Sequence, residues 1–71
     1  MEEWYNELER QMAYWLSEMG QAGVATRRYF REEVLPRLEE AVRELKRRLR
    51  ELHKEKDADI LEIKLEELRR I

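Results

Sequence analysis

The stretch Leu35-Pro36-Arg37-Leu38-Glu39-Glu40-Ala41-Val42-Arg43-Glu44-Leu45-Lys46-Arg47-Arg48-Leu49-Arg50-Glu51-Leu52 decides the fold. Within it Leu35, Leu38, Val42, Leu45, Leu49 and Leu52 recur at alternating spacings of three and four, the pattern of a and d positions in a heptad. A strand would alternate with period two, so this segment reads as an amphipathic helix with one apolar stripe. Opposite charges follow one another at i and i+4 outside the stripe, as in Glu39 with Arg43, Glu44 with Arg48 and Arg47 with Glu51. Such pairs contribute only about 0.3 to 0.5 kcal/mol each, so they mark a solvated helix face and do not define a site.

Towards the amino terminus, Phe30 and Val34 extend the stripe, whereas Arg27 and Arg31 fall on it, so the packed seam fades just before Phe30. A second stripe runs through Tyr5, Leu8, Met12, Trp15 and Met19, widened by Trp4 and Leu16. At 100° per residue the two stripes lie on different sides of any single straight helix, which requires a break between them. The preferred break is Gly20 to Ala25, where Gly20 follows Met19 at a helix C′ position and Gly23 comes three residues later. The alternative is a longer first helix with Pro36 opening the next one, which would suit the basic Arg27, Arg28 and Arg31 near a carboxyl end. Phe30 to Leu35 holds no Gly, Asn, Asp or Ser to make that turn, and an internal proline can merely kink a helix.

Towards the carboxyl terminus, Lys56 interrupts the heptad series, and Asp59 with Glu62 has the spacing of a capping box. The expected elements are therefore helices over about 2–19, 25–56 with a kink near Pro36, and 59–71. The third carries Ile60, Leu61, Ile63, Leu65, Leu68 and Ile71 around half its circumference and so wants two neighbours. At 1.5 Å per residue these helices are roughly 27, 46 and 18 Å long. The two short ones, laid end to end, match the long one. This predicts an all-α single domain over 1–71, a two-layer slab completed by self-association into a helical bundle, most simply as a homodimer. A monomeric three-helix bundle is the alternative. The interface expected for a dimer is Leu35, Leu38, Val42, Leu45, Leu49 and Leu52, together with the split apolar face of the third helix.

Composition narrows the function. Leu, Glu, Arg, Lys and Ala supply 45 of 71 residues, a strongly helix-forming mixture. Charged residues make up 45 %, yet 15 basic against 17 acidic leaves a net of −2, so no one-signed field points to nucleic acid or acidic lipid. Glutamates interleave with the basic cluster Arg43, Lys46, Arg47, Arg48, Arg50 and Lys54, and no recognition or phosphate motif accompanies it. No nucleic-acid, membrane or cofactor partner is expected. Met1-Glu2-Glu3 is no targeting start, no apolar run approaches the roughly 18 residues that span a bilayer, and the compartment stays open.

Cysteine is absent and His53 is the one histidine, which removes thiolate and His-rich metal sites and leaves association as the means of stabilising so short a chain. His53 lacks a partnered nucleophile and reads as a surface or helix-terminal residue; adjacent glutamates such as Glu32-Glu33 diverge by about 100° and cannot act as an acid–base pair. No catalytic or metal-binding residue is assigned, and the chain is not expected to be an enzyme. The aromatic and methionine face of the first helix, Trp4, Met12, Trp15 and Met19, is core on the plainest reading. It is also the candidate surface for a protein partner or an apolar ligand, because Met adapts to irregular shapes and Trp is enriched in binding hot spots.

From Leu35 onward the text, with Leu38-Glu39-Glu40-Ala41-Val42-Arg43-Glu44-Leu45-Lys46-Arg47-Arg48-Leu49 and Leu65-Glu66-Glu67-Leu68-Arg69-Arg70, resembles de novo designed helical-bundle proteins over about half the chain. Regular Leu at the core, strong helix formers on the surface and paired charges carry the resemblance; coiled coils of thermophiles share this vocabulary. It implies a structural role with no native substrate. Gln11, Met12, Met19, Gly20, Gln21 and Gly23 depart from the pattern and mark either an interface or pocket, or a natural protein.

Overall fold

A computed structural model describes all 71 residues. Its elements are α1 (Glu2–Met19), α2 (Val24–Tyr29), a π turn (Phe30–Val34), α3 (Leu35–Glu51) and α4 (Glu55–Arg69). The segments from α2 to α3 run on without a break, so the chain is a bundle of three helices, the second of which is long. At 1.5 Å per residue that second helix is about 42 Å long, and it sets the 40 Å long dimension of a molecule 19 × 18 Å across.

The first break lies at Gly20–Gly23, as the glycines indicate, but neither glycine uses a left-handed conformation. Gly20 has φ −64° and ψ −23°, and Gly23 is extended at φ −82°, ψ −176°. The Gly20 and Gln21 N–H groups close the end of α1 on Ser17 O and Glu18 O, and the Arg27 guanidinium donates to the last α1 carbonyl, Met19 O, at 3.0 Å and to Ala22 O in the turn at 3.1 Å. This resolves why an arginine stands at the start of a helix, where the dipole disfavours it, since its charge lies at the carboxyl end of the preceding one.

Pro36 produces the expected kink in a specific form. It has no N–H for the Glu32 carbonyl and its ring crowds that oxygen. The chain widens by one residue into the π turn, and the Leu35 N–H reaches back to the Phe30 carbonyl. Such a turn rotates everything before it by about 100° relative to a regular helix. The expectation that Phe30 extends the stripe of a regular helix is corrected: on an unbroken α-helix it would lie about 90° from the centre of the Leu38–Leu49 stripe, and the rotation brings it into line, buried, with its ring 5.5 Å from that of Trp15.

The second turn is displaced from the sequence expectation. α3 ends at Glu51 and α4 begins at Glu55, so the boundary at 56–59 is corrected to Leu52–Lys54. Asp59 lies inside α4 and caps nothing. The turn is a Schellman closure: the His53 N–H donates to Arg50 O at 3.0 Å and the Lys54 N–H to Leu49 O at 2.8 Å. His53, at φ 60°, takes the left-handed position that glycine usually fills.

The end-to-end slab is also corrected. α1 and α4 lie side by side, each covering the same part of the long helix. Trp4 near the start of α1 packs under Arg48 and Trp15 reaches Phe30, while on α4 Glu62 binds Lys46 and Arg69 binds Glu39. α4 meets both neighbours through Ala58, Leu61, Leu65 and Leu68, and the rest of its half-apolar circumference, Ile60 and Ile63, is exposed. The core is Leu8, Met12 and Met19 of α1, Phe30, Leu38, Val42, Leu45 and Leu49 of the long helix, and Ala58, Leu61, Leu65 and Leu68 of α4, and it buries no polar side chain.

Candidate association surface

The side chains singled out in the sequence are now placed. Leu38, Val42, Leu45, Leu49, Met12 and Met19 are buried within the one chain. Leu35, Trp4 and Trp15 are half-buried against the same core, and Leu52, at the exposed turn, lies outside it at 52 % exposure. The heptad stripe therefore packs on α1 and α4 and presents no continuous seam to a second chain. The aromatic face of α1 is likewise occupied. Arg48 stands over the Trp4 ring at 5.4 Å from its centre, and Trp15 is wedged between Tyr14 edge-on at 5.3 Å and Phe30.

A 640 Å³ groove lies between α3 and α4, with a floor of Val42 and Leu65 and walls that include Arg43, Lys46, Arg47, Arg50, Glu39 and Glu62. Most of its charges are met internally. Lys46 bonds Glu62 at 2.8 Å, and Arg69 reaches Glu39 at 2.9 Å, Glu66 at 3.1 Å and Glu62 at 3.6 Å. The Lys46 hydrogen bond, with Lys46 and Arg69 charge beside it, holds the Glu62 carboxyl below its usual pKa against a smaller opposing effect of burial. Arg69 is held more firmly protonated by its bonds to Glu39 and Glu66. The groove is a latch between two helices. Across the other side of α4, Lys64 meets Glu9 of α1 at 3.0 Å. Burial, with Glu9 and Asp57 nearby, raises the Tyr5 hydroxyl pKa. No three His, Asp or Glu side chains converge to hold a metal ion.

Exposed apolar side chains are spread over the molecule, with Met1, Tyr14, Val24, Tyr29 and Leu52 among them, and two fall close together on α4. Ile60 and Ile63 are 38 % and 60 % exposed, and Ile63 points directly away from Ala58, Leu61, Leu65 and Leu68. Ala13 and Leu16 of α1 border this face, sharing a shallow cleft with Met12, Lys64 and Glu67. The sequence counted both isoleucines towards a half-apolar circumference; which of its residues face outward becomes readable only once α4 is known to start at Glu55 and its core face is fixed. No family model matches the chain, and neither any curated protein nor any solved structure does. No helix is long and apolar enough to cross a membrane.

Proposed function

We propose that this chain is a structural helical bundle whose activity is self-association, a homo-oligomer, most simply a dimer, with no substrate. The observation that carries the reading is the pair Ile60 and Ile63 on the outer side of α4, in a molecule whose core is otherwise closed within one chain. Ile63, opposite the core, adds little to the folding of the chain that bears it, and together with the exposed edge of Ile60 it stabilises a contact when a second helix covers it. The resemblance to designed bundles supports the same reading. The Leu35–Leu52 stripe, occupied internally, is not the contact proposed here; the contact moves to α4. An interface of one helix face lies below the roughly 1,200 Å² of stable complexes, so the association is weak and reversible.

Sedimentation equilibrium over a wide concentration range, with circular dichroism at each concentration, tests this. The mass average rises towards a dimer while the helicity stays constant. A monomer mass at every concentration overturns the proposal. A rise in mass accompanied by a rise in helicity would return the contact to the internal stripe.

A further inference from the structure

Resting on that reading, we infer that the second copy docks antiparallel on α4, Ile60 against the partner's Ile63 and Lys56 against the partner's Glu67. Lys56, Ile60, Ile63 and Glu67 are all exposed and follow one another at spacings of four, three and four. At 100° per residue they fall within an arc of about 60°, forming a stripe some 16 Å long on the side away from the core. The spacing reads the same from either end, and the chemistry is complementary under reversal: cation, isoleucine, isoleucine, anion. A twofold axis through the midpoint between Ile60 and Ile63 therefore makes each contact twice, the signature of an isologous interface. Running the two helices parallel would set Lys56 against the partner's Lys56 and Glu67 against the partner's Glu67, so charge selects the antiparallel arrangement.

Neither Lys56 nor Glu67 has an ion-pair partner in the chain, so both charges are free to meet a second copy. Each stands at the end of α4 where the helix dipole disfavours its sign, the lysine in a first turn otherwise acidic with Glu55 and Asp57, the glutamate in the last turn beside Arg69. An antiparallel copy brings each to an opposite charge. On one flank Asp57 nears the partner's Lys64. On the other Asp59 nears the partner's Glu66, whose charge is already met by Arg69 at 3.1 Å.

Lys56→Glu, Glu67→Lys and the double variant, together with an equimolar mixture of the two single variants, test the inference by sedimentation equilibrium at low salt. Both single changes improve the fit to the helix dipole, so the fold survives them, which circular dichroism checks. Each single variant alone sets like charges together at two places and self-associates at least about tenfold more weakly than the parent. The double variant regains parental association, and the mixture forms a heterodimer as tight as the parent dimer. Single variants that self-associate like the parent overturn the antiparallel α4 contact while leaving self-association standing. A mixture no tighter than its components overturns it too. A parent chain that is monomeric throughout overturns both the contact and the function it rests on.

Discussion

His53 is the one residue held at a positive φ, and it has a Cβ that this conformation disfavours. Its imidazole is almost fully exposed, with Nδ1 3.7 Å from a Glu55 oxygen, so the side chain brings little packing in return. Replacing it by glycine removes the steric penalty and retains both backbone bonds of the Schellman turn. His53→Gly is expected to raise stability by about 1 kcal/mol, less the entropy that glycine adds to the unfolded chain, as read from the midpoint of urea unfolding. A loss of stability would show that the imidazole holds the turn. The sequence placed His53 at a surface or helix terminus but gave no sign of its left-handed turn, because glycine is the usual occupant and nothing local signals that a histidine accepts the strained position.

At the scale of helices, α3 and α4 are joined by the Lys46–Glu62 bond and the Arg69 cluster above a floor of Val42 and Leu65. The Glu62 pKa is lowered in the folded state, chiefly by the Lys46 hydrogen bond. A lowered acid binds its proton less readily when folded than when unfolded, so its contribution is present above the unfolded value, about 4.3 for glutamate, and is lost as pH falls through the folded one. Stability of the parent therefore declines below about pH 5. Lys46→Met removes the cause: the variant is less stable at pH 7 by about 0.5 to 1 kcal/mol, because Glu62 is two-fifths exposed and solvent screens the pair. The difference between the two proteins shrinks towards pH 3. Urea unfolding of both between pH 7 and pH 3 checks this, and a constant gap would assign the loss to packing of the lysine stem. Helix content and the glycine break were legible because periodicity and turn residues are local. The start of α4 was not, since a Schellman turn built on His53 has no glycine to announce it, and Lys56 breaking the heptad looked like an end of the helix when it lies in the first turn of the next.

For the whole molecule, the sequence identified the apolar stripes correctly but not what each would face, because pairing depends on how three helices share one core. Two features settled it. The π turn before Pro36 swings Phe30 into line beneath Trp15, so the stripe of the long helix stays buried along the length of α1. The early start of α4 lets it lie beside α1 across that same length. The stripe is thereby buried and the outer isoleucines left on the surface, and under the proposed association substitution separates their effects. Leu45 is fully buried and Ile63 is 60 % exposed. Leu45→Ala removes packing on both α1 and α4 and is expected to lower stability by about 2 to 5 kcal/mol. A chain of this length has a total of only about 4 to 10 kcal/mol, so much of the protein unfolds at 37 °C. Ile63→Ala changes stability by less than about 0.5 kcal/mol. Measured at low micromolar concentration, where the proposed weak dimer would be dissociated, both effects are those of the isolated bundle and do not change on further dilution. At high concentration the ranking for association reverses: Ile63→Ala sediments as monomer where the parent does not, while the fraction of Leu45→Ala that remains folded still pairs through α4. If Ile63→Ala instead unfolded the chain, α4's outer face would belong to the fold and not to a contact between copies.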